Sequence, residues 1–371
     1  MSSLKTYLRN WQVTIMHKVT LGDVAREFKD TYKGSKAGMP VVGLEHLIPQ
    51  EMKLTAWDGD KDNTFTKMFR KGHVLFGRRR AYLKKAAVAP FDGICSGDIT
   101  VVEAIPSKIV PELLPFIIQN DHFFDYAVGK SAGSLSPRVK WEHLAEYEFV
   151  LPSIEEQKNL SEVLWAFQDT KDAYKKLLTA TDELVKSQFI EMFGDPESKG
   201  FTMATIGDCC LLKSGTSLPA NVENEGGEIL YVKVADMNLN GNEKYIVDST
   251  HYVSRTTAGN GIFPKGTVIF PKRGGAIGTN KKRMTISEIC ADLNIMGVIP
   301  GKKILSAYLL GFFEQIDMGT LNNGTTVPQI NNKDIAPLPI AIPPLEFQKQ
   351  YTGFIEQIDK SKFGILQYII S

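Results

Sequence analysis

The residues with the clearest potential for chemistry are arginines and lysines that occur in short runs. These cations are Arg78, Arg79, Arg80, Lys84 and Lys85 in the first half of the chain, and Lys272, Arg273, Lys281, Lys282 and Arg283 in the second. An arginine presents planar, paired donors that fit a phosphate group or the N7/O6 edge of guanine. A single basic run is usually a solvated surface, but two runs at matching places in the two halves indicate a repeated nucleic-acid-binding loop.

A second set of candidate contacts lies in glycine-containing loops, one in each half. Their polar side chains belong to Ser134, Ser136 and Arg138, and to Asn322, Asn323, Thr325, Thr326 and Gln329. Asparagine and glutamine can pair with adenine through two hydrogen bonds, and hydroxyl groups can contact phosphates or base edges. Ordinary turn formation also favours Gly, Ser, Thr and Asn, so both interpretations stay open for these loops.

Similar segments surround these loops in the same order in both halves. Each half opens with a polar entry into a short helix, at residues 20–23 and 205–208, and continues into short apolar strands. The basic run follows a strand, and then come a cysteine-bearing strand, an apolar helix (residues 110–128 and 304–318), the glycine-containing loop and a last strand. This mixture predicts an α/β (mixed α+β) unit of about 130 to 150 residues, which is the size of a domain.

A long helix is predicted between the two halves. Residues 151–196 contain no glycine or proline between Ser153 and Phe193, and Ser153 can cap the first turn. Apolar residues recur there with the heptad-like spacing of a seam that packs against a second helix. Roughly 40 residues at ~1.5 Å each make a rod of about 60 Å, longer than a compact domain needs. We therefore interpret this helix as a spacer.

The start of this helix is repeated near the carboxyl end. LPSIEEQK at residues 151–158 and IPPLEFQK at residues 342–349 lie 191 positions apart (342 − 151), and the same interval separates Pro137 from Pro328. The predicted helix–helix seam consists of Leu160, Phe167, Tyr174, Leu177, Tyr351, Phe354, Ile358 and Ile365. Two unrelated amphipathic helices are the alternative, but the shared opening favours an internal repeat.

The repeat predicts four segments. They are a globular domain at residues 1–152, a central spacer helix at 153–196, a second globular domain at 197–343 and a short distal helix at 344–371. If the two long helices pack antiparallel as a coiled coil, the molecule is pseudo-twofold and the globular domains lie at opposite ends of a rod. Two related binding domains at a fixed separation suit double-stranded DNA, because the spacing of half-sites then follows from the scaffold.

The composition excludes several classes of protein. A chain of 371 residues suggests about two domains, and its four cysteines lack the spacing of a disulfide framework or a zinc site. The longest apolar runs are far shorter than a membrane span, and the first residues lack a signal peptide's apolar core, so we expect a cytoplasmic protein without membrane contact. A net charge of +1 says nothing by itself in favour of nucleic acid.

The motifs that resemble active sites are all incomplete. Gly129-Lys130-Ser131 looks like the end of a phosphate-binding loop, but Phe124 stands where the first glycine should be. The glycines around positions 259 and 274 do not have the spacing of a dinucleotide-binding fingerprint, and the six histidines are scattered without ligand spacing. We therefore expect no catalytic residue, no metal site and no cofactor in this chain.

Taken together, the repeated motifs resemble the DNA specificity subunit of type I restriction-modification systems. The resemblance rests on the repeated helix starts, the FIEMFGDP ending at residues 189–196, the twin Gly-Asp openings and the PFDG segment at 90–93, and it covers about residues 19–370. It implies two target recognition domains that each read half of a bipartite site. It also implies that the helices bind two methyltransferase (modification) subunits and, through them, restriction-translocase subunits. S-adenosylmethionine, ATP and magnesium then belong to those partners, the modified base is adenine and this subunit is non-catalytic.

Two other functions stay open, together with one departure from the family pattern. A protein-interaction scaffold that binds no DNA is the main alternative, and an enzyme acting alone is the third. The distal helix stops at Ser371, more than ten residues before the counterpart of the first helix would end. It is either a naturally short helix or the sign of a truncated, silent specificity subunit.

Overall fold

The computed structural model describes residues 17–59, 63–219, 221–223, 226–321 and 327–370, with side chains described as far as Lys362. The chain divides into two compact units, Met1–Ala173 and Tyr174–Ser371. Each unit combines strands and helices, which confirms the predicted mixed α/β structure. Within the described ranges, no helix has the length and apolar character needed to cross a membrane.

The first unit is built on three small sheets. Its strands are β1 (His17–Thr20), β2 (Ala25–Glu27), β3 (Val41–Val42), β4 (Lys67–Phe69), β5 (Val74–Gly77), β6 (Ala86–Val88), β7 (Gly93–Cys95), β8 (Ile99–Ala104) and β9 (Glu148–Leu151). Strands β2, β8, β5 and β6 form an antiparallel sheet in that order, β3, β7 and β4 form a mixed sheet, and β1 pairs with β9. The middle strands β5 and β8 are almost entirely buried because their apolar residues face the core on both sides.

Short helices close the first unit around this core. They are α1 (Leu21–Val24), α2 (Leu114–Ile118), α3 (Asp121–Gly129) and α4 (Trp141–Ala145). The predicted apolar helix near residues 110–128 is therefore two helices, because Asn120 caps α3 by accepting a hydrogen bond from the His122 N–H. Phe76 of β5 packs against Phe123 and Phe124 of α3.

The second unit repeats this plan, but its two main sheets contain more strands. Its strands are β10 (Thr202–Thr205), β11 (Cys210–Ser214), β12 (Ile229–Val232), β13 (Tyr245–Ile246), β14 (Tyr252–Val253), β15 (Ile262–Phe263), β16 (Val268–Pro271), β17 (Arg283–Thr285), β18 (Ile289–Ala291), β19 (Ile295–Pro300) and β20 (Pro339–Ile342). The sheet orders are β11-β19-β16-β17-β13 and β14-β12-β18-β15, and β10 pairs with β20. The three pairings β11–β19, β16–β19 and β10–β20 correspond to β2–β8, β5–β8 and β1–β9 of the first unit.

The Gly-Asp opening of each unit is explained by helix capping, through the aspartate, and by close packing at the glycine. The aspartate accepts the backbone N–H of the preceding threonine, Thr20 to Asp23 at 2.7 Å and Thr205 to Asp208 at 3.1 Å, which caps α1 and the matching helix α6 (Ile206–Cys209). A Cβ atom at Gly22 would lie 3.2 Å from the Ala145 Cβ. The equivalent Gly207 has the same distance to its own neighbouring alanine, so glycine lets two short helices approach closely in both units.

The remaining helices are α5 (Ile154–Phe193), α7 (Arg255–Ala258), α8 (Ser306–Glu314), α9 (Asn332–Ile335) and α10 (Leu345–Ile370). Helix α5 is one continuous helix of 40 residues, within the predicted segment 153–196. Ser153 and Glu156 form its capping box, since the glutamate accepts the Ser153 N–H over 3.1 Å. The apolar helix predicted near residues 304–318 is the shorter α8.

A buried glutamine ties each long helix to its own unit. Gln157 Oε1 accepts the Val110 N–H at 3.0 Å, and its Nε2 donates to the Pro152 carbonyl at 2.9 Å. Gln348, at the repeat interval, accepts the Leu305 N–H at 2.8 Å and donates to the carbonyls of Lys303 and Pro343 at 2.9 Å each. The EQK and FQK of the repeated motif thus contain a structural residue, because a fully buried amide needs all these partners.

The predicted seam residues have different surroundings. In the second unit, Phe189 and Phe193 of α5 pack edge-to-face against Tyr351 of α10, and Lys362 forms an ion pair with Asp182. Residues nearer the end of α5 therefore contact the start of α10, and an earlier residue of α5 contacts a later residue of α10. The two helices are antiparallel where they pack in this unit.

The other seam positions do not share that contact. Leu160 packs against the core of the first unit, whereas Phe167 is 62% exposed and Leu177 is 47% exposed. Tyr174, Phe354 and Ile358 are half-buried, and the side chain of Ile365 lies outside the described residues. A coiled coil along the whole seam therefore stays a prediction.

Candidate nucleic-acid interface

In the first unit, the basic run and the glycine-containing loop lie side by side. Arg78–Arg80 directly follow the buried strand β5, and the backbone of Arg79 pairs with that of Arg138. The Arg80 N–H donates to the Pro137 carbonyl at 2.8 Å, and the Val139 N–H donates to the Arg78 carbonyl at 3.0 Å. Backbone hydrogen bonds thus bring together two segments that are about 60 positions apart in the sequence.

A carboxylate organises the arginines of this surface. Asp98 Oδ1 accepts the Arg138 Nε–H at 2.7 Å, and Asp98 Oδ2 lies 3.3 Å from the Arg79 Nη1. Arg79 also donates from Nε and Nη2 to the Ser136 hydroxyl, at 3.2 and 3.0 Å. Burial raises the pKa of Asp98, but hydrogen bonds and charges from Arg138 and Arg79 outweigh burial and keep the pKa below its usual value. The two guanidinium groups are therefore held in place by an acceptor whose ionised form they favour.

The other predicted contacts of the first unit divide into exposed and internally bonded residues. Arg80 and Ser134 are exposed, and Arg78 is half-buried. Lys84 Nζ lies 2.5 Å from Asp121 Oδ1, and this hydrogen bond raises the pKa of Lys84. Lys85 Nζ donates to the Leu44 carbonyl at 2.7 Å. The two lysines are therefore bonded to groups of their own unit, whereas Arg80 is exposed.

The second unit has the same backbone arrangement at its basic run. The Gly274 N–H donates to the Pro328 carbonyl at 2.8 Å, the Ile330 N–H donates to the Lys272 carbonyl at 3.0 Å, and a bridge pairs Arg273 with Gln329. These contacts match those of Arg80, Val139 and Arg79 in the first unit one for one. The exposed charge differs, because Gln329 stands at the place of Arg138.

The place of Asp98 is likewise taken by a neutral residue. The Lys272 N–H donates to the backbone carbonyl of Asn294 at 2.8 Å. In the first unit, the Arg78 N–H donates to the backbone carbonyl of Asp98 at 3.0 Å. Asn294 in turn donates from Nδ2 to Asp292 Oδ1 at 2.7 Å. Beside its basic run the second unit therefore presents the exposed guanidinium of Arg273 and a neutral amide, where the first presents several guanidinium groups and a carboxylate.

Three cations of the second unit are buried or half-buried, although their charge suggested that they contact a ligand at the surface. Lys272 is 6% exposed and donates to the Ser214 hydroxyl at 2.8 Å, and Lys282 is 2% exposed and donates to the Ile316 carbonyl at 2.6 Å. Half-buried Arg283 donates to the carbonyls of Lys282 and Met237. Burial lowers the pKa of all three groups. Such internal bonding argues against phosphate contact for Lys272 and Lys282. It corrects the expectation that these two lysines lie at the surface.

The last predicted contacts fall partly outside the described residues. Asn322, Asn323, Thr325 and Thr326 lie within 322–326, which the structure does not describe. Half-buried Lys281 contacts the side chain of Asn238, and half-buried Gln329 donates to Asn331 Oδ1 at 2.7 Å. For this loop, base reading stays a prediction.

One cluster of potential metal ligands lies elsewhere in the first unit. Glu45, His46 and Asp58 have ligand atoms within 4.8 Å of one another. His46 Nδ1 accepts the Gly43 N–H at 2.9 Å, which places the proton of the neutral ring on Nε2, 3.5 Å from Asp58 Oδ2. Both ring nitrogens are therefore engaged without a metal ion, so the geometry favours a hydrogen-bonded turn.

Two functional features could not be recognised in the sequence. Asp98 lies in a turn before β8, and only the pairing of β8 with β5 brings it to the arginines. The glutamines Gln157 and Gln348 were part of the repeated motif, but their partners are far away in the sequence. A repeated glutamine at the start of two otherwise different helices is the one signal that could have indicated a structural role.

Comparisons with known proteins agree with this architecture. Residues 198–371 match the family model of the type I restriction modification DNA specificity domain. The type I restriction enzyme MjaIX specificity subunit of Methanocaldococcus jannaschii is 24% identical over 275 residues, which cover 67% of this chain and 62% of that protein. The EcoDI specificity subunit of Escherichia coli is 30% identical over 138 residues, which cover 34% of this chain and 30% of that protein. The matched stretches thus span less than two thirds of either relative.

Two solved structures share the fold. The S subunit of the type I restriction-modification system from M. genitalium superposes with a TM-score of 0.60 at 12% identity, covering 96% of this chain and 93% of that one. A chain from a study of complex assembly and conformational transition in a type I R-M system has a TM-score of 0.54 at 18% identity, with 96% and 94% covered. At such low identity the likeness concerns the fold alone.

Proposed function

This chain belongs to the type I restriction-modification specificity subunit family, and we propose that it is the non-catalytic subunit that reads a bipartite target in double-stranded DNA. Each unit reads one half of the target, and the long helices fix the gap and dock two methyltransferase subunits. Through these it joins restriction-translocase subunits in the cytoplasm. S-adenosylmethionine, ATP and magnesium belong to the partner subunits, and the chain itself contributes recognition.

One observation carries the proposal. The same backbone contacts join a basic run to a glycine-containing loop in both units, with Arg79 opposite Arg138 in one and Arg273 opposite Gln329 in the other. A repeated surface of this kind is suited to two related ligands, and the two halves of a split DNA site are such ligands. Guanidinium groups fit phosphates and guanine, and a glutamine amide fits adenine.

The difference between the two surfaces supports different sequences in the two half-sites. The first unit offers guanidinium groups held by Asp98, and the second offers the exposed guanidinium of Arg273 with a neutral amide partner. Base discrimination depends on which donors and acceptors meet the base edges. Two unlike surfaces on one backbone plan therefore favour an asymmetric split target over a palindrome.

DNA binding is tested by equilibrium titration of a fluorescently labelled duplex with the full chain and its methyltransferase subunit. The affinity should fall steeply with salt, with a log–log slope of about −0.9 for each phosphate contact. A slope near zero, or no binding at all in a complex that still assembles, would contradict the proposal and favour the protein-interaction scaffold.

Helix α5 should act as a ruler for the gap between half-sites. Inserting four residues beside Leu177 adds about 6 Å of helix, close to two base pairs of rise, so the permitted gap should lengthen by about two base pairs. Mapping of modified adenines in cells measures the gap. The control replaces four exposed α5 residues by alanine without changing the length. An unchanged gap in the insertion variant would mean that the helix does not set the spacing.

A further inference from the structure

The glycine-containing loop of the first unit is a closed hairpin with an apolar residue at its apex. The Ala132 N–H donates to the Arg138 carbonyl and the Arg138 N–H donates to the Ala132 carbonyl, both at 2.9 Å. Gly133 adopts a φ of 116°, which a residue with a side chain rarely adopts, and this turns the chain into the loop. Leu135 lies at the centre of the five residues between the paired ends.

The exposure of Leu135 is unusual. Its side chain is 91% exposed, and among the large hydrophobic residues that the structure describes none is more exposed. A turn without a ligand has no need of leucine, because Gly, Ser, Asn and Asp form turns without leaving a large apolar side chain in water. An isolated exposed leucine carries no message by itself, so its surroundings decide what it can contact.

Those surroundings are cationic and rigid. Ser136, which follows Leu135, accepts two hydrogen bonds from Arg79, and Pro137 accepts the Arg80 N–H. Arg138, at the base of the hairpin, is held by Asp98. The apolar apex therefore belongs to a loop whose ends are fixed and whose neighbouring residues contact or carry guanidinium groups. A partner that fits must present negative charge around a small apolar group.

Double-stranded DNA presents that combination in its major groove. The groove admits a two-stranded ribbon, and the one apolar group on its base edges is the 5-methyl group of thymine. We propose that Leu135 contacts a thymine methyl group within the half-site that the first unit reads, here called the first half-site, while the neighbouring arginines bind phosphate and guanine. This inference rests on the proposed function. Leu135 then determines specificity at one base pair that the guanidinium groups alone cannot distinguish.

Replacement of thymine by uracil tests this contact, because it removes the methyl group and leaves every hydrogen-bonding group in place. The probe is the duplex with the split motif recovered from mapping of modified adenines, with each thymine of the first half-site replaced in turn. For the wild-type complex of the full chain with its methyltransferase subunit, one replacement should weaken binding about fivefold. With Leu135→Ala, binding to the thymine duplex should weaken by a similar factor, and the same uracil replacement should then have no further effect.

The control variant is Leu211→Ala, which removes a 62% exposed leucine from a strand of the second unit and should leave all affinities unchanged. The salt dependence should be the same for Leu135→Ala and the wild type, since an apolar contact releases no counterions. If no uracil position weakens wild-type binding, or if Leu135→Ala responds to it as the wild type does, the thymine contact is wrong while specific binding stands. If the wild-type complex recognises no split motif, the proposed function fails and the thymine contact fails with it.

Discussion

Replacing Arg79 by alanine is expected to weaken binding of the specific duplex by about 10- to 100-fold. Arg79 is the member of the basic run whose guanidinium is positioned by two partners, Asp98 and Ser136. A positioned guanidinium binds without first losing its own side-chain freedom, so its removal should weaken the complex more than that of a mobile arginine. Titration of the labelled duplex at several salt concentrations measures both the affinity and the number of phosphate contacts.

Matched variants separate this effect from a general loss of charge. Arg26→Ala removes another ion-paired arginine of the same unit, bonded to Glu103 at 2.7 Å. It should leave the affinity within about twofold of the wild type, because substitutions at ordinary surface positions have small effects. Asp98→Asn keeps both arginines but removes their charged acceptor, so discrimination between specific and unrelated duplexes should fall. Equal affinities for the Arg79→Ala and Arg26→Ala variants would remove Arg79 from the interface.

Replacing Gln348 by leucine is expected to lower the free energy of unfolding of the second unit by about 3 kcal/mol. The substitution removes the three hydrogen bonds of a fully buried amide, which join it to the Leu305 N–H and to the carbonyls of Lys303 and Pro343. Each unsatisfied buried group is unfavourable by about 1 to 3 kcal/mol, and part of this is offset by burial of the leucine. Native-state hydrogen exchange of the amides in β16 and β19 measures the change in this unit.

The chain supplies two internal references for this experiment. Gln350→Leu makes the same substitution at an exposed position of α10 and should change the stability by less than about 0.5 kcal/mol. All four tryptophans, at positions 11, 57, 141 and 165, precede the second unit, so tryptophan fluorescence follows the first unit. It should be insensitive to Gln348→Leu and sensitive to Gln157→Leu. A loss below about 1 kcal/mol at Gln348 would show that the glutamine does not anchor the helix.

The sequence predicts the helices and the repeat well because both depend on local patterns. The absence of glycine and proline between Ser153 and Phe193 leaves a helix as the natural conformation, and the structure has α5 at Ile154–Phe193. The Gly-Asp openings are equally local, since a threonine caps its helix through a carboxylate three residues away.

The chemistry of the interface depends on contacts that no local pattern contains. Lys272 and Arg273 are neighbours in the sequence with the same charge, yet one is buried against Ser214 and the other is exposed. Strand β16 is buried along its whole length, and this burial ends between Lys272 and Arg273, where the chain enters the loop. The position of Asp98 beside two arginines likewise requires the pairing of β5 with β8. Charge can therefore be counted from the sequence, whereas its availability to a ligand cannot.

The most direct test of bipartite reading is single-molecule sequencing of cellular DNA after co-expression of this chain with its methyltransferase subunit, scored for modified adenines. The proposal predicts one split motif with two unlike halves and a constant gap, and in the Arg79→Ala variant a loss of discrimination confined to one half. A complex that copurifies but modifies no motif, or a motif without a gap, would contradict the reading of two half-sites by the two units.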